Sequence, residues 1–170
     1  MENSEGPQIN LAPKLELNLS DKVKQELGPQ NLENLISFSQ ALIKKSNEQD
    51  IDDFHLLLAG GTVDPKKQGK FHKDIDLVIY APELTVDPSI EKNDTKFNKF
   101  VDFLSQITTS LGWQREVKEP HFDGDYMYRF DGSVNLIPPT GVPFEIVANS
   151  NTDPMPKILE IEKRPYLILF

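Results

Sequence analysis

The sequence predicts an α/β or α+β fold, a β-sheet carrying helices, and three observations point to it. Residues 54–59 (Phe-His-Leu-Leu-Leu-Ala) and 77–80 (Leu-Val-Ile-Tyr) are short apolar runs with the length and composition of buried strands. A helical pattern then begins at Asp94, with Phe97, Phe100, Val101, Leu104, Ile107 and Leu111 on one side. More strand-like segments follow it, and elements with one apolar face must bury that face against one another.

In chain order, residues 1–14 are polar with Pro7 and Pro13 and read as a loose arm. Leu15 to Leu19 alternates, as a short strand or an arm with one apolar face, and the expected division is an arm over 1–19 and a single domain over 20–170. Ser20 is suited to cap a helix over Asp21–Leu27, stopped by Gly28-Pro29. A second helix is expected from Asn31 to about Lys45, with Leu32, Leu35, Ile36, Leu42 and Ile43 at helical spacing. Residues 46–53 form a polar connector and 81–93, with Pro82 and Pro88, a loop. Gly112 ends the helix from Asp94. A strand over Trp113–Lys118 precedes an acidic, turn-rich stretch over 119–125. Tyr126–Phe130 and Ser133–Ile137 read as a hairpin around an Asp131-Gly132 turn. Val142–Ala148 reads as another strand, 149–156 as a loop, 157–162 as a short helix, and 166–170 as an apolar tail.

Composition narrows the function. The absence of cysteine excludes a disulfide framework and thiolate metal sites. No apolar run approaches the roughly 20 residues of a membrane span, the N-terminus has no signal-peptide pattern, and a cytoplasmic protein is expected. Acidic residues outnumber basic ones 27 to 18, for a net charge of −9, which argues against general nucleic-acid binding. The charge is uneven: Lys66, Lys67, Lys70 and Lys73 stand against Asp64 alone in the segment 62–73. That segment reads as a solvated loop or, given its neighbours, as a cationic wall beside a phosphate site.

Those neighbours carry the chemistry. The first strand ends in Gly60-Gly61, where a backbone without Cβ can turn sharply and offer N–H groups to a phosphate. The second opens on Asp74-Ile75-Asp76, and strand alternation puts the two carboxylates on one face and Ile75 on the other. Two carboxylates so close repel each other, a penalty that a hard divalent cation such as Mg²⁺ removes. Glu145 is an acid within an apolar strand, on the face opposite Phe144 and Ile146. It reads either as a solvent-facing residue of an edge strand or as a third member of the acidic group.

Ala59-Gly60-Gly61, the segment 62–73 and Asp74-Ile75-Asp76 together resemble the signature of the DNA polymerase β-like nucleotidyltransferases. Gly60-Gly61-x-Val-Asp and His72-Lys73-Asp74-Ile75-Asp76 are similar to the small aminoglycoside and lincosamide enzymes, over residues 54–80 only. The resemblance implies an α+β, nucleotidyltransferase-like mixed sheet with helices packed on one face. It implies a third acid on a strand beside Asp74-Ile75-Asp76, which Glu145 matches best and Asp131 next. It further implies one or two Mg²⁺ ions held by Asp74, Asp76 and Glu145, and a nucleoside triphosphate held by Gly60, Gly61, Thr62 and Lys73. The expected reaction transfers a nucleoside monophosphate to a hydroxyl, with release of pyrophosphate.

Three departures bear on the acceptor. Thr62 stands where those enzymes often carry an aromatic residue, Pro65 and Gly69 interrupt the intervening segment, and little chain follows Glu145 for a separate acceptor domain. A small molecule such as an aminosugar is the first expectation, with Glu116, Glu119, Asp123 and Asp125 as a candidate acidic surface and Tyr126 and Tyr128 as ring contacts. A toxin-like enzyme acting on tRNA or protein, and a non-catalytic nucleotide- or partner-binding domain, are the alternatives. His72 reads equally as a backbone-bonded histidine and as a substrate contact.

Overall fold

The computed structural model describes residues 15–81, 94–122, 130–148 and 165–170. Ser20 accepts a hydrogen bond from the Val23 N–H and starts α1 (Asp21–Glu48). The two helices expected on either side of Gly28-Pro29 are one kinked element, in which Gly28 takes φ 74° and ψ 165°. Proline at the start of the second segment tolerates this break, because its missing N–H would have lacked a partner there. The helix also runs past Lys45 to Glu48, shortening the connector to β1 (His55–Ala59).

After β2 (Ile75–Tyr80) and α2 (Asp94–Leu111) come β3 (Gln114–Phe122), β4 (Phe130–Ile137), β5 (Phe144–Ala148) and β6 (Tyr166–Ile168). They form a six-stranded mixed sheet in the order β3-β4-β5-β2-β1-β6. Among the described residues only the β2–β5 pair is parallel; the other four pairs are antiparallel. The helices supply Leu35, Phe38, Leu42, Phe100, Leu104 and Ile107 to one core. That core also receives Leu56 and Leu58 of β1, Ile75, Leu77 and Ile79 of β2, and Phe144 and Ile146 of β5. Leu57, Ala59 and Val78 form a separate small cluster with Tyr166, as alternation requires of the opposite face. The expected α+β fold, a mixed sheet with helices on one face, is what the chain adopts.

Two expectations are corrected: β3 does not end at Lys118 but continues as strand through 119–122, part of the stretch read as turn-rich. Asp131-Gly132 is not a hairpin turn: both residues lie within β4, where Asp131 pairs with His121 across a register shift between Lys118 and His121. Local turn chemistry at Asp-Gly has yielded to pairing with β3, and the shift is the bulge that a proline at position 120 needs inside a strand. The expected strand at 126–129, the loops at 82–93 and 149–156 and the helix at 157–162 lie outside the described residues. No helix among the described residues is long and apolar enough to cross a membrane.

Candidate active site

The sheet order sets the site. β2 lies between β1 and β5, and the register pairs Asp76 with Ala59 on one side and with Glu145 on the other. Since Ile75, Leu77, Phe144 and Ile146 all enter the helix-side core, alternation puts Asp76 and Glu145 together on the helix-free face. Glu145 also receives a hydrogen bond at 3.1 Å from the Ser133 hydroxyl on β4. Asp131, the other candidate for a third acid, sits on β4, separated from β2 by β5. Asp74 stands one residue ahead of β2, with its side chain 29% exposed and Oδ2 4.0 Å from Lys73 Nζ.

The glycine pair ends β1 in a single 3₁₀ turn over Gly60–Thr62, closed by Val63 and Asp64 N–H groups donating to Gly60 O. Gly60 takes φ 70°, and a Cβ there would overlap the Asp76 carboxylate. A Cβ on Gly61 would come within 2.8 Å of His72 Nδ1. Each glycine therefore admits a neighbour: Gly60 the carboxylate on one side, Gly61 the imidazole on the other. Instead of a longer helix, the next segment makes a second 3₁₀ turn over Pro65–Lys67, capped by Asp64 accepting from the Lys66 N–H.

His72 is bonded to a side chain, not to backbone. Its Nε2 donates to Glu26 Oε2 at 3.0 Å, while Glu26 Oε1 accepts from the Gly69 N–H at 2.7 Å. Both side chains are nearly buried, 15% and 14% exposed. The hydrogen bond from His72, then that from Gly69, hold the Glu26 carboxyl below its ordinary value of 4.5. Glu26 was invisible as a site residue in the sequence, because one acid on a helix surface looks like any solvated one. With Thr62, Lys70, Phe71, His72 and Ile75 it lines a cavity of about 220 Å³ behind the glycine turn. Thr62, 2% exposed, belongs to the wall of this cavity.

The donor set is all carboxylate, which suits a hard divalent cation. Among the described residues no three His, Asp or Glu side chains are grouped so as to hold a metal ion. The arrangement fits a cation that takes one or two protein carboxylates and completes its shell with phosphate oxygens and water, the usual habit of Mg²⁺ at nucleotide sites.

No protein family is matched by the chain, and no curated protein is matched in sequence. Among solved structures, a CCA-adding enzyme in complex with ATP matches at 17% identity and TM-score 0.41, over 84% of this chain and 26% of that one. The complex with CTP matches at 14% identity and TM-score 0.40, over 82% and 24%. A tRNA-processing enzyme matches at 13% identity and TM-score 0.37, over 72% and 24%. The chain thus spans about a quarter of the length of these structures.

Proposed function

We propose that this protein is a nucleotidyltransferase that moves a nucleoside monophosphate from a nucleoside triphosphate to a hydroxyl acceptor and releases pyrophosphate. The observation that carries the reading is the seating of the glycine turn on Asp76 with Glu145 as its cross-strand neighbour. A bare backbone turn and paired acids at one end of a central strand provide the two things a polyphosphate in transfer requires. One is main chain that can close on the acids, since Gly60 leaves room for the Asp76 carboxylate; the other is an anionic platform for the cation that accompanies the phosphates.

In this reading one or two of the carboxylates of Asp74, Asp76 and Glu145 would hold Mg²⁺, which when bound would neutralise charge on the attacking and leaving oxygens. Gly60 and Gly61 present backbone to the phosphates and Lys73 steadies the departing pyrophosphate, whereas Thr62, buried in the wall of the cavity behind the turn, is given no phosphate contact. Glu145 accepts the proton of the acceptor hydroxyl or shares the metal, and the Ser133 hydrogen bond fixes its orientation for either role. The aminosugar surface expected from the sequence rests on residues of which Glu116 alone is described with its side chain, exposed on β3. Small hydroxyl compounds and polynucleotides are accordingly separate arms of one assay.

Calorimetry with ATP or GTP is expected to show binding that requires Mg²⁺ and disappears in Asp74→Asn. Metal-independent binding unaffected by that substitution would instead indicate a non-catalytic nucleotide-binding domain. Labelled nucleotide incubated with aminosugars, tRNA and lysate then identifies the acceptor.

A further inference from the structure

Phe71 is 87% exposed, the most exposed large apolar side chain among the described residues. Its position follows from the Glu26 contacts. That carboxylate grips the backbone at Gly69 and the imidazole at His72, so the two residues between them, Lys70 and Phe71, are displayed on a backbone held at both ends. Around Phe71, in the same segment, Lys66, Lys67, Lys70 and Lys73 are all exposed, against Asp64 as the one acid, in a protein of net charge −9. Even when Glu26, which is bonded to this segment, is counted, four lysines stand against two acids, Asp64 and Glu26, and the patch stays cationic. The patch ends at Asp74, next to the acidic strand.

An aromatic face among lysines is the chemistry that holds an unpaired base on its charged backbone: the ring stacks on the base and the ammonium groups meet phosphates. We infer that the segment 64–73 is a docking platform for the end of a single-stranded nucleic acid, whose terminal hydroxyl is the acceptor at the neighbouring carboxylates. The acceptor role rests on the transferase reading above; the docking does not. The overall negative charge is consistent with this arrangement. It opposes binding along a long duplex and leaves one local cationic segment to take a strand end. In the transfer, the terminal hydroxyl oxygen forms the new bond to the α-phosphorus while the bond from that phosphorus to the pyrophosphate oxygen breaks. The hydroxyl proton passes to Glu145, and pyrophosphate carries away the electron pair.

The test is fluorescence anisotropy of the full chain with short, labelled single-stranded RNA and DNA oligonucleotides of mixed sequence. The wild type is expected to bind them and Phe71→Ala to weaken binding by about tenfold, with Phe71→Trp restoring it. Replacing Lys66, Lys67 and Lys70 together by Gln is expected to flatten the dependence of log K on log salt by about 2. No binding by the wild type, or binding unchanged in both the Phe71→Ala and the lysine variants, overturns the platform. Label from the nucleoside triphosphate appearing on the oligonucleotide terminus supports the acceptor assignment, and label appearing on an aminosugar instead overturns it. Phe71-dependent binding without transfer to any acceptor upholds the platform and counts against the transferase reading alone.

Discussion

A methyl group at Gly60 would meet the Asp76 carboxylate, on a backbone whose φ of 70° already disfavours any side chain. Gly60→Ala therefore combines a left-handed backbone, about 1–3 kcal/mol, with displacement of the acid on which the proposed metal depends. Loss of Mg²⁺-dependent nucleotide binding is expected in calorimetry, together with a lowered urea midpoint. Gly61→Ala is expected to be milder, because Gly61 has no left-handed φ and its Cβ would press on the His72 ring and its Glu26 contact instead of on the acid pair. Glu26 makes a different prediction, in pH. Its carboxyl titrates below 4.5 in the folded protein, so its contribution is fully present above that value and is lost as pH falls through the lower, folded pKa. Urea unfolding of wild type and Glu26→Gln is thus expected to differ at neutral pH and to converge in acid. The two sets of residues also differ in how they show in a sequence. A glycine pair after a strand and acids inside apolar strands carry a local cost that demands a reason, so Gly60, Asp76 and Glu145 stand out. Glu26 and His72, 46 positions apart, acquire their relation only when the chain folds.

Glu145 reaches its place through α1 as well as through the sheet. Beyond the Gly28-Pro29 kink, Asn31 Oδ1 accepts from the Val142 N–H at 3.0 Å and Asn34 donates to Thr140 O at 2.7 Å. These amides clasp the turn before β5, and Gly141, at φ 93°, admits them, since a Cβ there would come within 2.6 Å of Asn31 Oδ1. The Pro143 carbonyl then accepts from the Ile75 N–H at 2.9 Å, joining this turn to the start of β2. Asn31→Ala would leave the partly buried Val142 N–H without its acceptor, at a cost of about 1–3 kcal/mol. It is expected to lower the urea midpoint and, by loosening the turn before Glu145, to reduce nucleotide transfer more than nucleotide binding. Single-turnover kinetics beside calorimetry separate the two effects. The kink was legible at this scale, because glycine and proline act on their own backbone. Asp131-Gly132 misled for the complementary reason: its turn preference is real, and strand pairing over the length of β3 outweighs it.

The C-terminal end of the described chain pairs with the strand that leads into the glycine turn, and the N-terminal end is bonded to that tail. β6 pairs with β1 from Leu57 to Ala59, and beyond it the Leu169 N–H donates to Leu56 O at 2.8 Å while Phe170 O accepts from the Leu56 N–H at 3.2 Å. The Asn18 N–H, in the segment before α1, reaches Leu169 O at 3.4 Å, and its side-chain amide donates to Ile168 O at 3.1 Å. β1 would otherwise be a sheet edge, with its hydrogen-bonding groups facing solvent next to the proposed phosphate site. Composition marked the tail as apolar, whereas its partner strand lies more than a hundred residues earlier, a pairing that no local pattern encodes. Leu169 is 3% exposed and packs in the helix-side core, so its truncation to Ala is expected to cost about 2–4 kcal/mol. The loss should extend beyond the cavity left behind. If the tail holds β1, hydrogen exchange in Leu169→Ala accelerates at β1 and through Gly60–Thr62 more than at the distant β3–β4 pair, and nucleotide affinity falls although no phosphate-facing residue has changed. Uniform acceleration across the sheet, with affinity intact, would make the tail a contributor to global stability alone.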